Sequence, residues 1–232
     1  MNNLKDLIAS LDELIDKAPE APESPEFGHV EKEKEPRKPE LQVALDGWDQ
    51  RWKTCNTSPT GDSWLTAFDK AKRVIERGSI LILHGTRGAG KTRMAYESAI
   101  STNLPKDKTG HFDGIRTYRK TTAKYTTAMG FFLDVRATFT KKANKTERDI
   151  VDSLTDPALL VIDEIQERSE SAWENRLLTH VLDSRYSSMR PTIIIANLTS
   201  AELAASLGPS IMDRIHEGGG HIEFTWPSYR RA

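Results

Sequence analysis

Cysteine is nearly absent: Cys55 is the only one in 232 residues. That excludes an intramolecular disulfide and a cysteine cluster for zinc, and makes a reducing, cytoplasmic setting the expectation. Long apolar runs are missing as well. No stretch approaches the roughly 20 apolar residues that span a bilayer, so no membrane association is expected, and the polar N-terminus does not read as a signal peptide. Nor does charge of one sign dominate, with 33 Lys/Arg against 34 Asp/Glu. The balance hides an asymmetry: residues 1–40 hold 6 Lys/Arg against 11 Asp/Glu, and the remainder 27 against 23. An acidic arm joined to a mildly basic body implies different partners for the two parts. The length suffices for one good-sized core without staples.

Within the arm, Leu4, Leu7, Ile8, Leu11, Leu14 and Ile15 recur at helical spacing, so residues 1–18 read as a short amphipathic helix that Pro19 ends. An isolated helix this short is marginal in water. Its stripe must pack either on its own domain or in a groove of a partner protein. Residues 19–40 contain five prolines and seven glutamates and read as a disordered tether, which favours the partner. The folded body is expected over 41–232.

That body is organised around Gly85-Thr86-Arg87-Gly88-Ala89-Gly90-Lys91-Thr92. An apolar run at 79–84 precedes it and a helical pattern follows. Strand, glycine loop and helix in that order make a phosphate-binding P-loop. The glycines let successive N–H groups face a phosphate, and the helix start adds its positive dipole end. Lys91 would reach the β/γ-phosphates, and the Thr92 hydroxyl would bind Mg²⁺. A nucleoside triphosphate and Mg²⁺ are the expected ligands.

Elsewhere the pattern alternates: helices at 63–77 and 91–102, a strand at 124–127, a helix at 128–142, a strand at 158–162, a helix at 171–188 and a strand at 191–197. This predicts an α/β fold, a three-layer αβα sandwich around a parallel sheet with sites at the strands' C-terminal ends. Met129, Phe132, Leu133, Val135 and Phe139 read as the apolar face of the 128–142 helix. Trp48, Trp52, Trp64 and Phe68 read as core, with no adenine contact assigned.

Asp163-Glu164 closes an apolar strand, where an acidic pair is costly unless it faces a cation or water. Asp163 is the candidate Mg²⁺ ligand, and Glu164 the base or orienter for the attacking water. Asn197, at the end of a strand expected beside that one, is a candidate to orient the water or sense the γ-phosphate. Arg214 reads either as a guanidinium supplied to a neighbouring subunit's phosphate or as a surface arginine paired with Asp213.

Residues 115–148 hold nine Lys/Arg against two acids. Arg116, Arg119, Lys120, Lys124, Lys141 and Lys142 are the candidate DNA contacts within this footprint. Tyr118, Tyr125, Phe131 and Phe132 are interleaved and are candidates to stack bases of a single strand. The alternative is an ordinary solvated face over core aromatics.

Together these blocks resemble AAA+ replicative helicase loaders of the DnaC type, relatives of the IstB transposition ATPases. The resemblance is carried by the P-loop, by Leu159-Leu160-Val161-Ile162-Asp163-Glu164-Ile165, and by Asp183-Ser184-Arg185-Tyr186 running on to Arg190-Pro191-Thr192. Asn197, Leu207-Gly208, Ile211-Met212-Asp213-Arg214 and Phe224-Thr225-Trp226-Pro227-Ser228-Tyr229-Arg230 complete it. It implies an ATPase, with ATP and its product ADP as the nucleotides, that grips a hexameric helicase, here through residues 1–18, and holds single-stranded DNA through a basic insertion, here 115–148. It also implies a sensor role for Asn197, an arginine finger at Arg214 in a head-to-tail assembly, a phosphate-sensing Arg230, and no C-terminal helical lid domain. This chain departs from the family in a short N-terminal part without zinc-ligand cysteines and in a longer 102–124 insertion. An IstB-like helper acting on duplex DNA, or a non-hydrolysing nucleotide-gated binding module, are the alternative readings.

Overall fold

In the strand Ile80–Gly85 successive side chains point to opposite sides, and both sides are apolar. Leu81 and Leu83 enter one buried cluster, Ile80 and Ile82 another. The same split recurs in Leu159–Asp163, where Leu159 and Val161 part from Leu160 and Ile162, and in Thr192–Ile195, where Ile193 and Ile195 part from Ile194. Strands buried on both faces require helices on both.

A computed structural model of the protein describes residues 43–54, 61–112, 117–118, 120–140 and 142–229, all within the unit Leu41–Ala232. The expectations for residues 1–18 and 19–40, and those for Arg116, Arg119, Lys141 and Arg230, lie outside the described residues.

The elements run β1 (Ala44–Asp46), α1 (Gln50–Thr54), α2 (Asp62–Glu76), β2 (Ile80–Gly85), α3 (Lys91–Ser101), β3 (His111–Phe112), β4 (Thr117–Tyr118), β5 (Thr122–Thr127) and α4 (Ala128–Ala137). They continue with α5 (Glu147–Thr155), β6 (Leu159–Asp163), a 3-10 turn (Ile165–Glu167), α6 (Ala172–Ser187), β7 (Thr192–Ile195), α7 (Ser200–Leu207), α8 (Pro209–Gly218) and β8 (Gly220–Phe224). Six strands form one parallel sheet in the order β1-β5-β6-β7-β2-β8, and β3 and β4 make a separate antiparallel pair. Helices α2 and α3 cover one face and α4 to α8 the other, which gives the expected three-layer αβα sandwich. Trp48 and Trp64 are core residues, as expected.

The segment after β5 differs from the expectation in two ways. The helix predicted over 128–142 stops at Ala137, and a second helix, α5, follows it. Threonine hydroxyls explain the break: Thr138 Oγ1 donates to Val135 O (2.7 Å) and Thr140 Oγ1 to Ala137 O (3.2 Å), occupying carbonyls that a continuing helix would use. Thr146 and Asp149 then form a reciprocal capping box that starts α5. The exposed and buried faces also differ from the reading. Of the residues read as the apolar face, Phe132 and Val135 are buried but Met129, Leu133 and Phe139 are exposed, Phe139 at 63%, and Ala128 and Phe131 complete the buried face. Residues 128, 131, 132 and 135 follow the i, i+3, i+4, i+7 rule, so the periodicity was present on a neighbouring face.

Two buried polar groups fix the strands' N-terminal ends. The Asp107 carboxylate accepts from Thr122 N (2.9 Å), Thr122 Oγ1 (2.6 Å) and Ala158 N (2.9 Å), pinning the start of β5 next to that of β6. Arg185, fully buried, donates to the carbonyls of Leu154, Pro157 and Pro191 and to the Thr192 hydroxyl. Burial, with Arg190 nearby, lowers its pKa to about 9, still charged at neutral pH. Arg190 donates in turn to the carbonyls of Asp156, Pro157 and Lys106. These arginines of the 183–192 block are thus staples of the fold.

Candidate nucleotide site

The glycine loop leaves β2 and enters α3 with backbone that only glycine adopts easily. Gly85 has φ +112°, and a Cβ there would lie 2.6 Å from Phe224 O; Gly90, the N-cap of α3, has φ +93°. The segment after β8 holds the loop from outside. Thr86 N donates to Phe224 O (3.2 Å), Trp226 Nε1 to Ala89 O (3.0 Å) and Tyr229 N to Gly88 O (3.1 Å). Arg87 projects from the loop and is exposed. Lys91 is buried, and its ammonium donates to Gly85 O (2.9 Å) and Thr86 O (2.7 Å), which holds it against the start of the loop.

The parallel register carries the second half of the site to the same place. Asp163 ends β6, and its Oδ2 accepts from the Thr92 hydroxyl at 2.8 Å, across 71 residues of sequence. The Tyr125 hydroxyl donates to the same oxygen at 3.0 Å, and Glu164 N donates to Oδ1 at 2.7 Å. Burial and the neighbouring Asp163 raise the Tyr125 pKa far above its ordinary value, so the phenol stays protonated as a donor. Glu164 adopts a left-handed backbone (φ 55°) and its side chain is exposed one residue beyond Asp163. Such a conformation in a non-glycine residue costs on the order of 1–3 kcal/mol and tends to occur at functional sites. Asn197 follows β7, which pairs with β6 at Ile194↔Ile162; its backbone N–H donates to Gln166 Oε1 (3.2 Å) on the 3-10 turn.

An oxygen-only pair, hydroxyl plus carboxylate, fits a hard cation that keeps water and phosphate ligands, as Mg²⁺ does. Among the described residues no group of three or more His, Cys, Asp and Glu side chains is placed to hold a metal, and no helix is long and apolar enough to cross a membrane.

His84, which the sequence reading passed over, belongs to the same cluster. It is buried at the end of β2, and its Nδ1 lies 3.3 Å from Leu198 O. A carbonyl only accepts, so Nδ1 carries the proton and ties the strand before the P-loop to the loop after Asn197. Burial lowers the His84 pKa. No spacing rule signals this contact; it exists because β2 and β7 are neighbours.

Arg214 lies apart, on α8. Its guanidinium donates to Ser210 O (2.6 Å) and Ser210 Oγ (2.7 Å), pairs with Asp183 of α6 (3.0 Å) and sits 6.0 Å from the centre of the Tyr186 ring. The acid beside it is therefore Asp183 and not Asp213.

Lys120 and Lys142 are exposed, while Lys124 pairs with Asp46 of β1 (2.8 Å). Arg136 pairs with the buried Glu174 (2.9 Å), and Arg148 lies 3.7 Å from Asp152. Acids outside residues 115–148 thus offset part of the local positive charge. Phe131 and Phe132 are core residues, 1% and 2% exposed, and Tyr125 is committed to Asp163, so these three do not offer a stacking face.

No family model matches the chain. It is 30% identical over 171 residues to the replicative helicase loader DnaC of Escherichia coli strain K12, a match covering 72% of this chain and 64% of that protein. The chain thus spans a little under two thirds of that relative's length. Its fold is similar to a crystal structure of the DnaC helicase loader, with TM-score 0.56 and 20% identity over 76% of this chain and 100% of the other. It is also similar to the replication initiator DnaA bound to AMPPCP and single-stranded DNA, with TM-score 0.55 and 13% identity over 76% of this chain and 50% of that one. The chain therefore carries a three-layer α/β P-loop fold like that of these structures and is similar in sequence to the DnaC-type replicative helicase loaders, the likeness that its motifs imply.

Proposed function

We propose that this protein is an ATP-dependent loader of a replicative DNA helicase, with ATP binding and hydrolysis acting as a switch during the initiation of DNA replication. The ATP-switch part of the reading is supported by the 2.8 Å hydrogen bond between Thr92 and Asp163, which joins a phosphate loop and an acidic strand end from distant parts of the chain, and the loader part by the similarity to DnaC. Thr92 and Asp163 would hold Mg²⁺, which when bound offsets charge on the β- and γ-phosphates. The loop residues Gly85 to Thr92 hold the phosphates by backbone N–H groups. Lys91 exchanges the carbonyls of Gly85 and Thr86 for phosphate oxygens. Glu164, exposed beside Asp163, takes the proton of the attacking water or orients it, and Asn197 orients it from β7. Arg214 acts on the nucleotide of a neighbouring copy in a head-to-tail assembly, leaving its contacts with Asp183 and Ser210 to do so. Arg230 is a candidate second phosphate-sensing arginine.

Residues 1–18 grip the helicase, and the basic 115–148 segment, with Arg116, Arg119, Lys120, Lys124, Lys141 and Lys142 as candidates, holds single-stranded DNA. The helicase-loader identity of the DnaC relatives supports the first part, and the DNA-bound DnaA neighbour is consistent with the second. Affinity capture from the native host followed by mass spectrometry tests the reading. A hexameric helicase that is retained by the full chain and lost on deletion of residues 1–40, with ATPase activity kept, is the expected result. Recovery of a transposase in its place contradicts it.

A further inference from the structure

Tyr125 touches the carboxylate of the site without being one of its motif residues. Strand β5 pairs with β6 at Tyr125↔Val161 and Thr127↔Asp163, which brings the tyrosine within reach of the end of β6. Its hydroxyl donates to Asp163 Oδ2 at 3.0 Å, the oxygen that also takes the Thr92 hydroxyl at 2.8 Å. Oδ1 accepts Glu164 N at 2.7 Å. Three donors thus fix a single carboxylate, and one of them fixes the turn that carries Glu164.

The tyrosine is itself held in place. Its ring lies 4.9 Å from that of Trp48, tilted by 39°, and Trp48 Nε1 donates to Ala123 O (3.0 Å) on the same strand. Gly47 packs so closely that a Cβ there would lie 2.1 Å from Tyr125 O. A side chain this constrained offers its hydroxyl in one place.

We infer that Tyr125 is a positioning residue for the metal carboxylate. The inference rests on the nucleotide-site reading given above. With Mg²⁺ held by Thr92 and Asp163, Tyr125 would keep the Asp163 carboxylate in its present rotamer. Through the Oδ1 bond to Glu164 N it also steadies the backbone of the water-activating residue. Partners of this kind, which orient a ligand without touching the metal, typically contribute 10–100-fold to metal affinity or activity. The base-stacking role expected for Tyr125 from the sequence gives way to this one.

The test is Y125F, which removes one hydroxyl and leaves the ring against Trp48. Binding of a fluorescent ATP analogue is measured while Mg²⁺ is titrated, in wild type, Y125F and D163N, beside metal-free binding in EDTA and the unfolding temperature. The expected result is a Mg²⁺ midpoint raised about tenfold in Y125F, with EDTA binding and unfolding temperature at wild-type values. In D163N the Mg²⁺ dependence should be lost. Equal midpoints in Y125F and wild type overturn the proposal and leave the nucleotide site standing. So does a raised midpoint matched by an equal loss of EDTA binding, because that marks packing damage. A wild type whose binding ignores Mg²⁺ overturns the site reading itself.

Discussion

The C-terminal ends of the central strands and the helical segment after β5 were both read from sequence as functional surfaces, and they fared differently. At the strand ends, Thr92 and Asp163 meet at 2.8 Å although 71 residues separate them. In the segment after β5, Phe131 and Phe132 are interior residues, while Arg136 and Arg148 are beside acids. The first reading rested on order, strand then loop then helix, and on a charge pair at the end of an apolar run. Both features constrain backbone geometry directly. The second rested on composition, which gives the charge of a segment but not which side faces outward or which acids the fold brings to it.

The sharpest way to break this comparison is to remove Arg214, for which we propose a role on the nucleotide of a neighbouring copy. Arg214→Ala should lower ATP turnover by about 10³-fold or more, the scale set by arginine fingers. Mixing with Lys91→Ala subunits, which offer an intact Arg214, should restore part of it in a steady-state ATPase assay. No recovery at any ratio would count against a finger acting between subunits. Glu164→Gln comes next. It should retain ATP binding and lose about 10²–10⁴-fold in hydrolysis, read by comparing nucleotide affinity with turnover.

Stability variants probe the other region. Phe131→Ala should cost about 3–5 kcal/mol in chemical denaturation, as a buried phenylalanine does. Phe139→Ala, at an exposed position, should stay within about 0.5 kcal/mol of wild type. Equal costs would contradict the burial of Phe131 in α4 and the exposure of Phe139 just beyond it.

His84 provides a pH test at the strand ends. Its folded pKa lies below the ordinary value of 6.5 because it is buried, so the unfolded chain takes up a proton first as pH falls. Its contribution is present above about pH 6.5 and lost as the pH drops towards the folded pKa. Thermal unfolding should show stability declining below that pH, and His84→Gln should flatten the decline. The smallest expected effect is that of Lys142→Ala, which should lower the salt slope of single-stranded DNA binding by about one unit if that lysine meets a phosphate.

Most of the sheet was legible because Leu81–Leu83, Leu159–Ile162 and Ile193–Ile195 are unbroken apolar runs. The P-loop was legible because its chemistry is local. Helix α5 was overlooked, although Thr146 and Asp149 at capping-box spacing and the Ile150, Val151 and Leu154 stripe mark it. The exposed face of α4 was misjudged because two adjacent stripes are apolar and only tertiary packing chooses between them. Tyr125 and His84 carried no signal that spacing could reveal. Their roles come from strand register, which sets Tyr125 beside Asp163 and His84 beside Leu198.

The central claim is that Thr92 and Asp163 serve one magnesium–triphosphate. A double-mutant cycle on Mg²⁺-dependent ATP binding tests it most directly, using Thr92→Ala, Asp163→Ala and the pair. Each single variant should lose most of the Mg²⁺ enhancement, and the double variant should be little worse than either, as for two groups acting on one ion. Losses that simply add would place the two residues at independent sites and contradict the account.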